Sequence, residues 1–600
     1  MSRTPFQPSR PLRALIGAGA AMALAQPASA QTPSPFGRVV VFGDSISDGG
    51  AYARIAPAGA GRFTTNPDPV WVERIAAGFG LDLAPRAVGG TNYAEGGARV
   101  AVARPNAPGD LSRTPVVQQV DAWLAGGGVS KGDLVIIQGG GNDVFFTQAN
   151  GLTFTPADLA VLEQAARDLA GQVRRIAAAG EATIVTTSVP RFDVFNAPYR
   201  AALAADAPNV LYVDIARLIA EVEAQPGAFG IVNVTDRACR GRAVESFTCL
   251  PADYVTPDAN RTYLFADGVH FTGIGHELQA DAVLAALRAP TQIGQLPLAA
   301  EAVLQSAHAG LVANLGADER RRPGSWSVFG WIDAGRLDVD PSARAAGLRS
   351  DAAGATAGAA YALDRRLTVG GAFGWNEGDG DFGAQTGGFD LRTAMVTAFA
   401  QGRTGAFDAL ATASYADLAF DDVNRRVRLG PAERREAADT HGRMWAAGLE
   451  VGATTGSGPI QVRPLAGLRY ERVEVGAYSE AGTRSTQATF GAQTAESLWA
   501  TIGVELRPTP SPAWGVQPFV RVAYQSDLLD DGRTITITPA GAPVAFTAQA
   551  VTPDRDFVAY SVGIATTPRG GLSFTAQVAG SIGRDSMDAT AVRLGVQGRF

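Results

Sequence analysis

The sequence predicts two fold classes in series. The first is an α/β domain with a parallel sheet flanked by helices, and the second is a transmembrane β-barrel. Three observations carry the prediction. Short apolar runs alternate with helix-like segments from Phe36 to about Pro290. From Ser325 to Phe600 the hydrophobicity repeats with period two instead. Between them, residues 296–318 read as one helix rich in alanine and leucine. A chain of 600 residues is also too long for a single core.

The N-terminus is a targeting segment. Arg3, Arg10 and Arg13 give a basic start, residues 12–25 are apolar, and Ala28-Ser29-Ala30 forms a small-residue cleavage site. This is the pattern of a secretory signal peptide over residues 1–30, with the mature chain starting at Gln31. Charged residues make up 18%, and the net charge of −7 argues against a nucleic-acid partner. No apolar run reaches the ~20 residues of a spanning helix, so a membrane role calls for a barrel or a surface attachment. Export makes the two cysteines informative. Cys239 and Cys249 lie ten positions apart in a loop-like stretch and predict one local disulfide. A metal or redox site there lacks a CxxC and nearby histidines.

In the first half, strands are predicted at residues 39–42, 134–138, 183–189 and 210–214, each short and rich in β-branched residues. The clearest helix is 156–179, where Leu159, Leu162, Ala166, Leu169, Val173 and Ile176 repeat by threes and fours. Thr155 is its expected N-cap, Pro156 takes the first helical position, and Gly180 ends it. Helices at 115–124 and 273–287 read similarly.

Four small groups of residues fall in the loops after these elements. They are Gly43-Asp44-Ser45, then Asn92 to Ala98 with its two glycines, then Gly139 to Asp143, then Asp267-Gly268-Val269-His270. In this order the blocks resemble those of the GDSL (SGNH) hydrolases, over residues 36–290. The resemblance implies an SGNH-type α/β fold and ester hydrolysis. Ser45 would be the nucleophile, weak until a base takes its proton. His270 would be that base, and Asp267, three residues earlier, would hold the ring's other N–H. The oxyanion donors would be the N–H groups of Gly97 and Ser45 and the side chain of Asn142. Gly96 is the alternative to Gly97. Asp44, Asp48 and Asp143 read as loop-shaping or capping groups, and His276 as structural or at the rim. There is no GxSxG nucleophile elbow. No cluster at ligand spacing points to a metal, and no cofactor is implied.

In the second half, Leu498, Ala500, Ile502, Val504 and Leu506 form one apolar set, and Val592, Leu594, Val596 and Phe600 another. Trp375, Tyr470 and Tyr524 suit interfacial girdles. A soluble β-sandwich also alternates, but the pattern runs to the last residue and the opposite face carries many arginines. Signal peptide, α/β domain, helix and barrel together resemble a type V autotransporter, over residues 296–600 for its membrane part. That resemblance implies twelve strands with the linker helix threading the lumen, His308 in the lumen and His441 in a loop. The expected domains are 1–30, 31–290, 291–322 and 323–600. The function implied is a cell-surface esterase or lipase in the outer membrane, its α/β domain facing outward. Its partners would be an acyl-ester substrate, outer-membrane lipid and the barrel-assembly machinery, and the chain would be a monomer. An acyltransferase using the same residues and a non-catalytic adhesin are the alternatives.

Overall fold

The computed structural model describes residues 34–103, 113–147, 153–206, 208–241, 245–316, 322–455, 458–509, 515–529, 532–566 and 571–600. The expected signal peptide lies outside the described residues. Strands β1 (Arg38–Phe42), β2 (Asp133–Ile137), β3 (Thr183–Thr187) and β4 (Leu211–Val213) pair in that order, all parallel. Helices α1 (Trp71–Gly78), α2 (Val116–Ala125), α3 (Gly141–Thr147), α4 (Pro156–Ala179), α5 (Asp193–Asp206) and α6 (Ile215–Ala224) fall between and after them. A parallel sheet buries both faces, which is why these strands are apolar at consecutive positions. Val39, Val41, Leu134 and Ile136 join one core with Trp71 and Ile219. Val40, Phe42, Val135 and Ile137 join a second with Val120, Leu169 and Tyr199. Thr155 caps α4 reciprocally with Asp158, and Pro156 opens it. β3 ends at Thr187, two residues before the predicted end. Beyond it, Val189 gives its N–H to the Asn196 side chain and accepts from the same amide. A two-stranded parallel pair, β5 (Asn233–Arg237) and β6 (Tyr263–Phe265), leads into the last helices. Beside it the Cys239 and Cys249 sulfurs are bonded, with Cα atoms 6.0 Å apart.

Helix α7 (Gly273–Ile293) continues six residues past the predicted 287, carrying Pro290 within it. Its extension is buried against the second half, where the Gln493 amide donates to the Ile293 carbonyl at 3.2 Å. After Gly294 and Gln295 the chain enters α8 (Leu296–Gly316). No helix among the described residues is long and apolar enough to cross a membrane.

Twelve antiparallel strands close into a barrel around α8. They are β7 (Trp326–Val339), β8 (Leu348–Ala362), β9 (Leu367–Phe382), β10 (Gly387–Thr404), β11 (Phe407–Leu429), β12 (Ala432–Ala453), β13 (Ile460–Val475), β16 (Gln493–Pro508), β17 (Val516–Asp527), β20 (Asp556–Thr566), β21 (Leu572–Ile582) and β22 (Met587–Arg599). β22 pairs with β7, so no edge is left open. Outward residues such as Phe373, Leu468, Ile502 and Phe574 are exposed and apolar. Trp375, Tyr415, Trp445 and Tyr524 stand at one margin of this band, and Trp326, Phe407 and Phe600 at the other. Inward, the guanidinium of Arg521 meets the Glu450 carboxylate at 2.6 Å and Arg593 donates to the Ser306 carbonyl of α8 at 2.6 Å. His308, on α8, lines the lumen. His441 does not sit in a loop. It lies within β12, opposite Ala419 and on the outward face, because this hairpin is far longer than a membrane crossing needs.

The β11–β12 hairpin, with strands of 23 and 22 residues, carries its tip up to the α/β domain. There the Gly430 N–H donates to Asp281 at 2.7 Å, and Arg434 pairs with Glu221 at 2.6 Å. Four short strands, β14 (Tyr478–Ser479), β15 (Ala488–Phe490), β18 (Thr534–Pro539) and β19 (Phe546–Gln549), form a sheet from the barrel's connections. Asn209 bonds the Thr547 backbone twice across this seam. Arg425 and Glu480 pair at 2.7 Å, with side chains only 2% and 1% exposed. Removing one partner of a buried pair costs about 3–5 kcal/mol. Arg425→Ala is therefore expected to loosen this outer part. Protease added to intact cells should cut the variant in the 476–492 region faster than the parent, with the barrel's heat-modifiable gel mobility unchanged.

Candidate active site

The four sequence blocks meet at the C-terminal edge of the parallel sheet, where open α/β sheets collect reacting groups. Ser45 follows β1 in a tight turn held by the Ser47 N–H to the Asp44 carbonyl, 3.0 Å. Gly43, just before it, is gripped twice by the Gln119 side chain of α2, both contacts 2.9 Å. A Cβ on Gly43 would lie 2.7 Å from the Gln138 amide oxygen, so a larger residue does not fit this approach. The second block reaches the site because residues 91–93 lie along the free edge of β1. The Val41 N–H donates to the Thr91 carbonyl and the Tyr93 N–H to the Val41 carbonyl. The third block opens α3 directly after β2. The fourth precedes α7, whose N-cap Thr272 lies two residues past His270.

Ser45 Oγ lies 2.9 Å from His270 Nε2, across 225 residues of sequence. His270 Nδ1 lies 2.8 Å from Asp267 Oδ2. Asp267 is buried, and burial alone would raise its carboxyl. The hydrogen bond and charge of His270, with N–H groups of His270 and Ser246, outweigh burial and hold it far below the usual carboxylate range. It therefore stays ionised beside the imidazole. Asp44 is raised by burial, against hydrogen bonds from Gln138 and the Ile46 N–H. The Phe63 ring lies over His270 at a centroid distance of 5.2 Å and is itself backed by Phe247. Burial drives His276 down to about 3, so it is a neutral ring that accepts the Trp71 N–H at Nδ1, 3.3 Å.

The two glycines of the second block are not equivalent. The Gly96 N–H is already spent on the Asp48 carboxylate, 2.9 Å away. Gly97, at φ +80°, has an N–H with no protein acceptor among the described residues, as does the N–H of Ser45. The Asn142 amide donates one hydrogen to the Ala98 carbonyl at 3.0 Å, which orients the group beside Gly97. Asp48 accepts three N–H groups in all, from Gly50, Ala51 and Gly96, and so ties the turn after β1 to the second block. Asp143 pairs with Arg99 at 3.0 Å and accepts the Val100 N–H. Gln119, Phe63 and Ser246 were not singled out in the sequence. Each reaches the site from a segment with no local signature. Among the described residues, no group of three or more His, Cys, Asp or Glu is arranged to hold a metal ion.

Two family profiles match the chain. GDSL-like Lipase/Acylhydrolase covers residues 39–283 and Autotransporter beta-domain covers residues 328–579. The chain joins a GDSL-type domain to an autotransporter barrel. Esterase EstA of Pseudomonas aeruginosa is 28% identical over 88% of this chain and 91% of that protein. Lipase 1 of Photorhabdus luminescens is 22% identical over 88% of this chain and 91% of its own length. Among solved structures, the translocator domain of the autotransporter NalP from Neisseria meningitidis aligns with a TM-score of 0.41 and 16% identity, over 51% of this chain and 98% of that one. The autotransporter β-domain match and the closed twelve-stranded barrel put the barrel in the outer membrane, with the GDSL domain displayed outside.

The depressed Asp267 carboxyl has a pH consequence. Its folded value lies below its unfolded one, so its contribution to stability is complete above about pH 4 and is lost as pH falls further. Acid unfolding of the GDSL domain should therefore steepen below about pH 4. In Asp267→Asn that part of the acid limb should be missing, as read by tryptophan fluorescence across a pH series.

Proposed function

We propose that the chain is a cell-surface carboxyl-ester hydrolase working through a serine acyl-enzyme. The observation that carries this reading is the run of hydrogen bonds from Ser45 through His270 to Asp267, set beside two backbone N–H groups with no protein acceptor among the described residues. Ser45 Oγ attacks the ester carbonyl carbon while its proton passes to His270 Nε2. The carbonyl oxygen takes up the negative charge and is held by the N–H groups of Ser45 and Gly97 and by the Asn142 amide. Asp267 keeps Nδ1 protonated and stabilises the imidazolium. The C–O bond to the leaving group breaks, and Nε2 returns its proton to that oxygen. Water then attacks the acyl-enzyme with His270 again as base, freeing the acid and restoring Ser45.

The names esterase and lipase describe the relatives, and acyl esters are accordingly the substrate class proposed here. The proposed processing removes residues 1–30 and leaves a GDSL domain at 31–290, a linker at 291–322 and a barrel at 323–600. Insertion would use the barrel-assembly machinery, with the chain acting as a monomer. A transferase would follow the same first step and deliver the acyl group to another acceptor, so product analysis with a competing alcohol separates the two.

Ser45→Ala is expected to lower turnover by about 10⁴-fold or more and to abolish fluorophosphonate labelling. An unlabelled parent protein, folded and exported, would overturn the reading. Asn142→Ala should cost about 10²–10³ in kcat with labelling retained, since only the oxyanion loses a donor.

A further inference from the structure

The aromatic side chains of the GDSL domain are buried or half-buried, with two exceptions among the described residues. Phe145 is 40% exposed and Phe146 is 53% exposed. Both lie on α3, three and four residues after Asn142, and so share its face of the helix. An exposed aromatic pair one helical turn from the oxyanion amide is not explained by the core. The pair is also held in place. The Arg99 guanidinium lies 4.2 Å over the Phe146 ring while paired with buried Asp143. Phe145 meets Phe192 edge to face at 5.2 Å. The rings therefore form a fixed apolar surface with open faces.

The reaction geometry says which part of an ester would lie there. The leaving oxygen must approach His270 Nε2, which returns the proton to it, so the alcohol portion lies on the Phe63 side of Ser45. The carbonyl oxygen points to Gly97 and Asn142. The remaining substituent on the attacked carbon is the acyl chain, which leaves beside the oxyanion donors, where Asn142 begins the helix turn that carries Phe145 and Phe146. We propose that Phe145, Phe146 and Phe192 form the acyl-chain site, and that the enzyme selects esters of extended apolar acids through them. This inference rests on the ester-hydrolase reading above. The surface is open rather than a closed pocket, so a chain would lie across it, half-covered, and selectivity would rise gradually with length.

The test measures kcat/KM of the full-length protein in detergent micelles on p-nitrophenyl acetate, butyrate and octanoate, and on a series of alkyl acetates. The parent should prefer octanoate to acetate. Phe145→Ser with Phe146→Ser should lower the octanoate-to-acetate ratio about tenfold, as expected for losing contact with about two methylenes. Acetate hydrolysis and the ranking of the alkyl acetates should hold. Leucine at both positions should restore most of the ratio. An unchanged ratio, an equal loss on acetate and octanoate, or a shift confined to the alkyl acetates would overturn the assignment while leaving the hydrolase reading intact. A parent that cleaves neither series would overturn the hydrolase reading itself.

Discussion

The burial of α7 is the constraint on which the rest of the molecule depends. Of its 21 residues, 16 are buried, and a helix enclosed on nearly all sides cannot shift without disturbing several neighbours at once. Its first turn fixes the loop that carries Asp267 and His270, through Thr272 and the contact of Gly273 N–H with Thr65. Its middle packs on α1 and on β11, and its last turn ends against β16. The site and the barrel are therefore connected by one rigid element. Both cores of the α/β domain close on the same sheet, but only the α7 side runs on without a break into residues of the barrel, such as Phe420 and Val427.

That continuity changes what the outer part of the barrel is. β11 and β12 extend well past the roughly ten residues that cross a bilayer, and the excess forms a seat for the GDSL domain. Ion pairs on this seat differ in worth. Arg428 contacts Glu277 while largely exposed, which contributes little. Arg425 and Glu480 are withdrawn from water, so removing either would leave its partner buried without a counter-charge. The lumen follows the same logic, with Glu450 taking both Arg463 and Arg521. Inside a barrel, charge is tolerated where it is paired, and the linker helix adds its own partners through Glu301 to Arg533.

The sequence made some of this legible and hid the rest for physical reasons. β1 and α4 were readable because local signals agree: apolar runs, a capping threonine, a proline at the first position and a closing glycine. The barrel was readable because lipid on one side and a polar lumen on the other impose alternation along every strand. The four site blocks were visible because each keeps its chemistry within a few consecutive residues. The end of α7 is not legible locally: Pro290 lies within the helix, and burial against β16 carries it past 287. His441 was misplaced because alternation says nothing about how far a hairpin rises beyond the membrane. The four-stranded sheet of the outer connections gave no signal, since its strands are two to six residues long. Gln119, Phe63 and Ser246 act at long range, and no local pattern marks them.

Hydrogen-bond accounting separates Gly96 from Gly97, which the motif alone leaves open, and so supports the proposed choice between them. Both glycines sit in the same block, and either could lack a Cβ for close approach. Buried N–H groups are nearly always paired, so the one already donating to Asp48 is spent. The neighbouring N–H at positive φ and that of Ser45 have no protein acceptor among the described residues. Two N–H groups beside a hydroxyl and turned away from the protein's own carbonyls require the surrounding turns to hold that orientation. Asp48 and Gln119 supply that restraint from opposite sides, one gripping the second block and the other gripping Gly43. On the proposed mechanism, the acceptor for these donors would be the substrate's carbonyl oxygen, which gains its charge only as the reaction proceeds. Under that proposal, donors aimed in advance at the developing charge would favour the transition state over the bound ester, which is what lowers a barrier.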